Sequence, residues 1–234
     1  MPTSVSRFDI FFASLFAIFS IFLALGVQKM KQFVADAKYK LILHNLNHTV
    51  TDNFIKETDL ISRLQNETLW QECDEKRAHD NFWQREDPIT NIWEELSQEI
   101  WKNRPEYKEA VGFEYWCNIV DEDRSLPWHV DKDEYELEEN EELVYPIMGA
   151  VYYGFDHKFE GSGNLMLVDI DAEYEPFAYD DELNHEVVRV EPIFNRMIIF
   201  NASKWHRVET NFTGNRYTFA VNALRHKPRG PKKN

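Results

Sequence analysis

Cysteine is scarce in this chain: Cys73 and Cys117 are the two thiols among 234 residues. That excludes a disulfide-dense scaffold, permits at most one bridge, and leaves no CxxC pair of the kind that holds zinc or runs thiol redox chemistry. Positive charge is also short, with 26 Lys and Arg against 41 Asp and Glu and a formal net charge of −15. The resulting field repels polyanions, so no nucleic-acid partner is expected and basic or neutral partners suit the chain better. There is no internal repeat or low-complexity tract, which excludes a solenoid. His44 and His48 stand four apart but lack the glutamate of a HExxH zinc motif, so they read as structural. What is present is 43% hydrophobic and 15% aromatic residues, enough for one compact domain with a real core.

The longest uncharged apolar run is Ile10 to Gln28, bounded by Arg7 and Asp9 before it and by Lys29 and Lys31 after it. About 19 residues are just enough to cross a bilayer as a helix, so 1–28 reads as a membrane anchor or a signal sequence. Lys29, Lys31, Lys38 and Lys40 follow the span, which by the positive-inside rule alone favours a cytosolic domain. Four N-x-Ser/Thr triplets, at Asn47, Asn66, Asn201 and Asn211, point the other way, to the lumen of the endoplasmic reticulum or Golgi, and a lumenal single-pass protein is expected.

Residues 29–109 are polar, poor in Gly and Pro over most of their length, and read as a helical stalk and support region. Asp87-Pro88 is a good helix start, and Ile89, Ile92, Trp93, Leu96 and Ile100 recur at helical spacing up to Pro105. After Glu109 the texture changes to short runs rich in Val, Ile, Phe and Tyr: VGFEYWCNIV, LVYPIMGAVYYGF, GNLMLVDI, HEVVRVEP, RMIIFNAS and NRYTFAVNAL. Six such runs without intervening helices predict a sandwich or barrel, with a double-stranded β-helix, or jelly roll, as the expected form. The fold class is thus mainly β with supporting α-helices, with the core at 110–226 and a basic tail at 227–234.

Within that region Pro127-Trp128-His129-Val130-Asp131 carries the chemistry. In an extended chain residues i and i+2 project from one face, so His129 and Asp131 can present an imidazole and a carboxylate to a single point. His206, after the run Arg196 to Phe200, supplies a second imidazole. Two histidines and one carboxylate leave positions open on an ion and suit non-haem Fe(II). Ten positions on, Arg216 and Thr218 share a strand face, where a guanidinium fork and a hydroxyl can hold the distal carboxylate of a dicarboxylic acid. Trp128 and Trp205 flank the candidate ligands and read chiefly as packing. The acidic run Asp131 to Glu142 reads as a solvated loop, or else as a lid that draws in a basic peptide. His157, His185 and His226 read as surface residues.

The string PWHVD, then YPIMGAVYYG, GSGNLML, NRMIIFNASKWHRVE and GNRYTFAVNAL resembles the 2-oxoglutarate- and Fe(II)-dependent dioxygenases, in particular their prolyl 4-hydroxylase-like branch, over about residues 110 to 225. The resemblance implies His129, Asp131 and His206 as catalytic iron ligands, Arg216 as the partner of the 2-oxoglutarate C5 carboxylate, Thr218 assisting, and Tyr153 of the Tyr152-Tyr153 pair against the cosubstrate. It places Leu165 on the pocket wall. Where many relatives carry a tyrosine on the preceding strand this chain offers Cys117 or Asn118, and Gly161-Ser162-Gly163 replaces a glycine pair.

The resemblance also implies Fe(II) as cofactor, 2-oxoglutarate and O2 as cosubstrates, room for ascorbate, and an oxidoreductase that hydroxylates a protein or peptide side chain, most plausibly proline. Two other readings stand beside it. A cupin-like scaffold would hold metal without turnover and would have no need of Arg216. A nucleic-acid demethylase of the same superfamily is suggested by the string HVDKDE and opposed by the net charge. Membrane attachment through 10–28 is expected, and oligomeric state is left open.

Overall fold

The computed structural model describes residues 48–76, 81–122, 124, 126–156, 160–171 and 187–228. They fall in the unit that spans 45–234. The membrane span expected at 10–28 lies outside these residues. Among the described residues no helix is long and apolar enough to cross a membrane.

Each of the six apolar runs after Glu109 contains a strand. In chain order the strands are β1 Thr49–Thr51, β2 Phe82–Gln84, β3 Gly112–Val120, β4 Met148–Tyr153, β5 Glu160–Gly161, β6 Leu165–Asp171, β7 Val187–Val190, β8 Arg196–Phe200, β9 Lys204–Val208, β10 Phe212–Thr213 and β11 Arg216–Leu224. They form a six-stranded sheet in the order β1-β8-β4-β11-β3-β2, a three-stranded sheet in the order β7-β6-β9, and a small β10-β5 pair. Every pairing is antiparallel. The chain passes repeatedly between the two larger sheets, from β4 to β6 and β7, back to β8, across to β9 and back to β11. The central strand β11 is buried at all nine positions, because both of its faces are covered.

Strand alternation sorts those faces. Phe113, Tyr115 and Cys117 of β3, Tyr152 of β4 and Tyr217, Phe219 and Val221 of β11 join one aromatic core with the helices. Their neighbours Trp116, Asn118, Val151, Arg216 and Thr218 point to the other face, where residues of the small sheet such as Leu165, His206 and Val208 complete an internal cavity. The helices are α1 Thr58–Arg63, α2 Glu67–Asp74, α3 Ile92–Trp101, α4 Pro105–Glu109 and α5 Glu134–Asn140. Trp70 of α2 is wholly buried, lies 5.0 Å from the Trp93 ring of α3 and donates its indole N–H to Leu64 at 2.8 Å. Trp93 in turn stacks on Phe219 at 5.4 Å, and each such pair contributes roughly 0.5–1.5 kcal/mol beyond its buried area. The two cysteines are joined, with Cα atoms 5.4 Å apart, and tie α2 to β3 inside this core.

The region read as a stalk and support therefore also adds edge strands, because β1 pairs with β8 and β2 with β3. Trp93, Leu96 and Ile100 form the buried stripe of α3 as expected, with Ile92 packed beside them, but Ile89 lies before the helix and is exposed, and the helix ends differ too. Asp87 sits in a turn, its amide bonded to Gln84, and the helix starts at Ile92 because the Asn91 side chain accepts from the amides of Trp93 and Glu94 at 2.9 and 3.0 Å. Pro105 opens α4 rather than closing α3. The acidic run holds α5, since Asp133 caps the amides of Tyr135 and Glu136 and acidic residues in a first turn favour the helix dipole. Asn66 and Asn211 of the glycosylation triplets are exposed, whereas Asn201 is half-buried and its side-chain oxygen is occupied by Ser203.

Candidate metal and cosubstrate site

His129 and His206 face each other as an antiparallel backbone pair, each amide donating to the other's carbonyl at 2.9 Å. This pairing extends the small sheet beyond β9 and sets the two imidazoles side by side, with ring centroids 4.2 Å apart. Two residues on, the Asp131 amide donates to Ala202 at 2.9 Å, which fixes its carboxylate on the same face. Its Oδ1 lies 3.8 Å from Nε2 of His129 and 3.6 Å from Nε2 of His206. One donor atom from each of the three side chains falls within 4.8 Å of the others, so the three residues expected to act together do converge.

The tautomers follow from the hydrogen bonds. Nδ1 of His129 is 2.7 Å from the Pro127 carbonyl and Nδ1 of His206 is 2.9 Å from that of Lys204. A carbonyl only accepts, so both Nδ1 atoms carry a proton, and both Nε2 atoms are turned toward the carboxylate. Burial, helped by the neighbouring His206, holds His129 below the ordinary histidine range. Burial alone would push the Asp131 carboxyl upward, but His206, His129 and the Asn222 amide together hold it below the usual carboxylate value. Two imidazoles and one carboxylate can hold a divalent cation while leaving coordination positions open.

Asn222 was not singled out by sequence reading, although it lies on the Arg216, Thr218, Ala220, Asn222 alternation of β11. It is 4% exposed, and its Nδ2 donates to Oδ2 of Asp131 at 3.1 Å. Gly149 on β4 makes room for it, since a Cβ there would sit 2.8 Å from the Asn222 side-chain oxygen and 2.8 Å from the Ala202 Cβ.

From the His129, Asp131 and His206 cluster an inner cavity of about 80 Å³ runs to Arg216 and Thr218. Arg216 is 1% exposed, donates from Nε to the Gly163 carbonyl at 2.8 Å and from Nη2 to the Tyr153 hydroxyl at 3.0 Å, and lies 3.5 Å from the Thr218 hydroxyl. No carboxylate pairs with it among the described residues, so a full positive charge is buried without a counter-ion. Burial raises the Tyr153 phenol, against the pull of Arg216, and keeps it protonated. Tyr153 lies against the buried Arg216, while Tyr152 faces the aromatic core and bonds Asn195 at 2.9 Å. Leu165 lines the cavity. Of the alternatives on β3, Asn118 points inward and Cys117 outward into the disulfide.

On the outer side of the same cluster lies a second pocket of about 410 Å³, bordered by His129 and Asp131 and walled by Trp116, Trp128, Tyr135 and Trp205. Trp128 and Trp205 therefore border open space as well as pack, and the Arg207 guanidinium lies 5.1 Å from the Trp128 ring. His226, read as a surface residue, is tied to Asp133 at 3.1 Å. Glu114 of β3 also lines this pocket, and burial, with the charges of Asp131 and Asp133, pushes its carboxyl up to about 7.

Fold and site define a class: a mainly β protein whose two antiparallel sheets enclose two imidazoles and a carboxylate at one end of a cavity and a buried guanidinium at the other. No family model matches the sequence, and no curated protein matches it. Among solved structures the chain is similar to a prolyl-4-hydroxylase of Pseudomonas putida, at 14% identity and TM-score 0.48, covering 79% of this chain and 90% of that one. It is also similar to HygX from Streptomyces hygroscopicus, solved with nickel and 2-oxoglutarate bound, at 12% identity and TM-score 0.47, covering 80% and 86%. A third is the non-heme α-ketoglutarate-dependent epimerase SnoN from nogalamycin biosynthesis, at 11% identity and TM-score 0.49, covering 82% and 81%.

Proposed function

We propose that this protein is a 2-oxoglutarate- and Fe(II)-dependent dioxygenase, built on a double-stranded β-helix, that hydroxylates a side chain of a protein or peptide. The observation that carries the reading is Arg216. A guanidinium buried without a carboxylate is costly unless an anion joins it, and this one lies at the far end of a cavity that begins at the His129, Asp131 and His206 cluster. A metal-holding scaffold without turnover has no use for that charge.

In this reading Nε2 of His129, Nε2 of His206 and Oδ1 of Asp131 hold the metal. Arg216 and the Tyr153 hydroxyl hold the distal carboxylate of 2-oxoglutarate, the guanidinium as a fork and the phenol as a further donor. Bound there, a ferrous ion with 2-oxoglutarate supplies an oxidant made from O2, with succinate and carbon dioxide released as one oxygen atom enters the substrate. Leu165, Val151, Phe200 and Val208 wall the cavity with apolar surface and keep water from the reacting centre. The Nδ1 bonds to Pro127 and Lys204 keep both imidazoles oriented, and Asn222 keeps the carboxylate turned toward them.

An oxidising, lumenal location is part of the same proposal, and the buried Cys73–Cys117 bridge supports it, as do exposed Asn66 and Asn211. The functional test is release of succinate from 2-oxoglutarate by the purified protein with Fe(II). Turnover that needs iron and is abolished in His129→Ala supports the ligand set; turnover unaltered in that variant removes it.

A further inference from the structure

The outer pocket borders His129 and Asp131 directly, so whatever seats there is the part of the substrate nearest the metal cluster. Its walls combine the rings of Trp116, Trp128, Tyr135 and Trp205 with acidic groups, and those groups differ in their commitments. Glu134 is paired with Lys132 at 3.0 Å. Asp133 is paired with His226 and caps α5. Asp131 belongs to the metal cluster and is bonded to Asn222. Glu114 alone of the pocket's acidic side chains has no hydrogen bond or ion pair among the described residues. It sits directly across from Asn222 in the β3–β11 ladder, which turns its carboxyl to the same inner face as the cluster.

Aromatic faces and a free, largely buried carboxylate form a receptor for a long aliphatic side chain ending in a cation: the rings take the methylenes and the charge, and the carboxylate takes the N–H donors. We infer that the pocket admits a lysine or arginine side chain of a peptide substrate, with Glu114 as its counter-ion and specificity residue. This deepens the oxygenase reading and rests on it for the reaction, but not for the binding. A proline ring offers no charge to Glu114, and an acidic side chain would be repelled by a chain of net charge −15.

The test uses the full chain and capped tripeptides Gly-X-Gly in which X is lysine, arginine, norleucine, proline or glutamate. Binding to the metal-free protein, followed by tryptophan fluorescence, is expected to favour lysine over its neutral analogue norleucine by at least about tenfold. Glu114→Gln is expected to erase that preference while norleucine binds as before. With Fe(II) and 2-oxoglutarate the added oxygen is expected on lysine or arginine, and Glu114→Gln is expected to raise KM for those peptides more than it lowers kcat. Equal binding of lysine and norleucine, or oxidation of the proline peptide in preference to the basic ones, overturns the inference. Absence of succinate with every peptide overturns the oxygenase reading instead, and leaves the fluorescence comparison to decide the pocket's preference.

Discussion

Asn222 donates its side-chain amide to Oδ2 of Asp131 at 3.1 Å and thereby leaves Oδ1 as the oxygen that faces both His129 and His206. The two residues are 91 positions apart and meet because Asp131 is bonded to Ala202 just past β8, and β4 lies between β8 and β11, with its Gly149 opposite both Phe200 and Asn222 and leaving the space that the asparagine fills. A carboxylate that is free to rotate offers a less defined ligand than one whose second oxygen is anchored.

The first prediction concerns that anchor. Asn222→Ala is expected to keep the fold and weaken Fe(II) or Ni(II) binding by roughly 10–100-fold. Asn222→Leu keeps the side chain's volume but offers no donor, and is expected to weaken metal binding to a similar extent. Isothermal titration with Ni(II) reads both, and metal affinity unchanged in both variants shows that Asn222 does not position the carboxylate.

The second concerns the buried charge. Arg216→Gln removes a guanidinium that has no acidic partner among the described residues, so the ligand-free protein is not expected to lose a stabilising ion pair. It is expected instead to lose the response to 2-oxoglutarate: the cosubstrate raises the melting temperature of the wild-type protein and leaves that of the variant unmoved, with KM for 2-oxoglutarate higher by roughly a hundredfold. Equal thermal shifts in the two proteins remove Arg216 from the cosubstrate site.

Much of this was legible in the chain because strand periodicity is a local signal. The alternation of His129 with Asp131, and of Arg216 with Thr218, fixes shared faces without knowledge of the fold, and six apolar runs mark six of the strands. The edge strands β1 and β2, at three residues each, are too short to carry a period. The helix α5 was hidden because acidic residues hold its surface and its start depends on a single side chain, Asp133. Asn222 could have been reached by continuing the β11 alternation past Thr218, whereas the pairing of Glu114 with Asn222 is a matter of register between strands more than 100 residues apart, which no local pattern encodes.

The third prediction concerns the disulfide. Cys73 and Cys117 are both 2% exposed and close a loop of 44 residues, for which chain-entropy reasoning gives about 4 kcal/mol of stabilisation. The Cys73→Ala/Cys117→Ala double variant is expected to unfold at markedly lower urea concentration, and reductant is expected to shift the wild-type transition toward it while leaving the variant unchanged. Since the bridge lies on the helix-facing side of β3, away from the cavity, Ni(II) affinity of the folded variant is expected to match that of the wild type. Reductant-insensitive wild-type unfolding would show that the two sulfurs are not joined.

The fourth concerns pH. The Glu114 carboxyl is pushed from its ordinary 4.5 to about 7 by burial and by Asp131 and Asp133, so the folded protein holds this proton more tightly than the unfolded chain does. Where the native state binds more protons than the unfolded state, stability falls as pH rises. The neutral acid is therefore accommodated below about pH 4.5, the cost of ionising it grows through the interval up to about 7, and the full penalty, at most about 3 kcal/mol, is reached above that. Glu114→Gln carries a neutral amide of the same shape at every pH and escapes this slope. In urea denaturation of metal-free protein, the variant is expected to gain stability relative to wild type as pH is raised from 4.5 to 8, while other titrating groups cancel in the difference. Parallel stability curves for the two proteins across that interval show that Glu114 ionises in the fold as freely as it does in water.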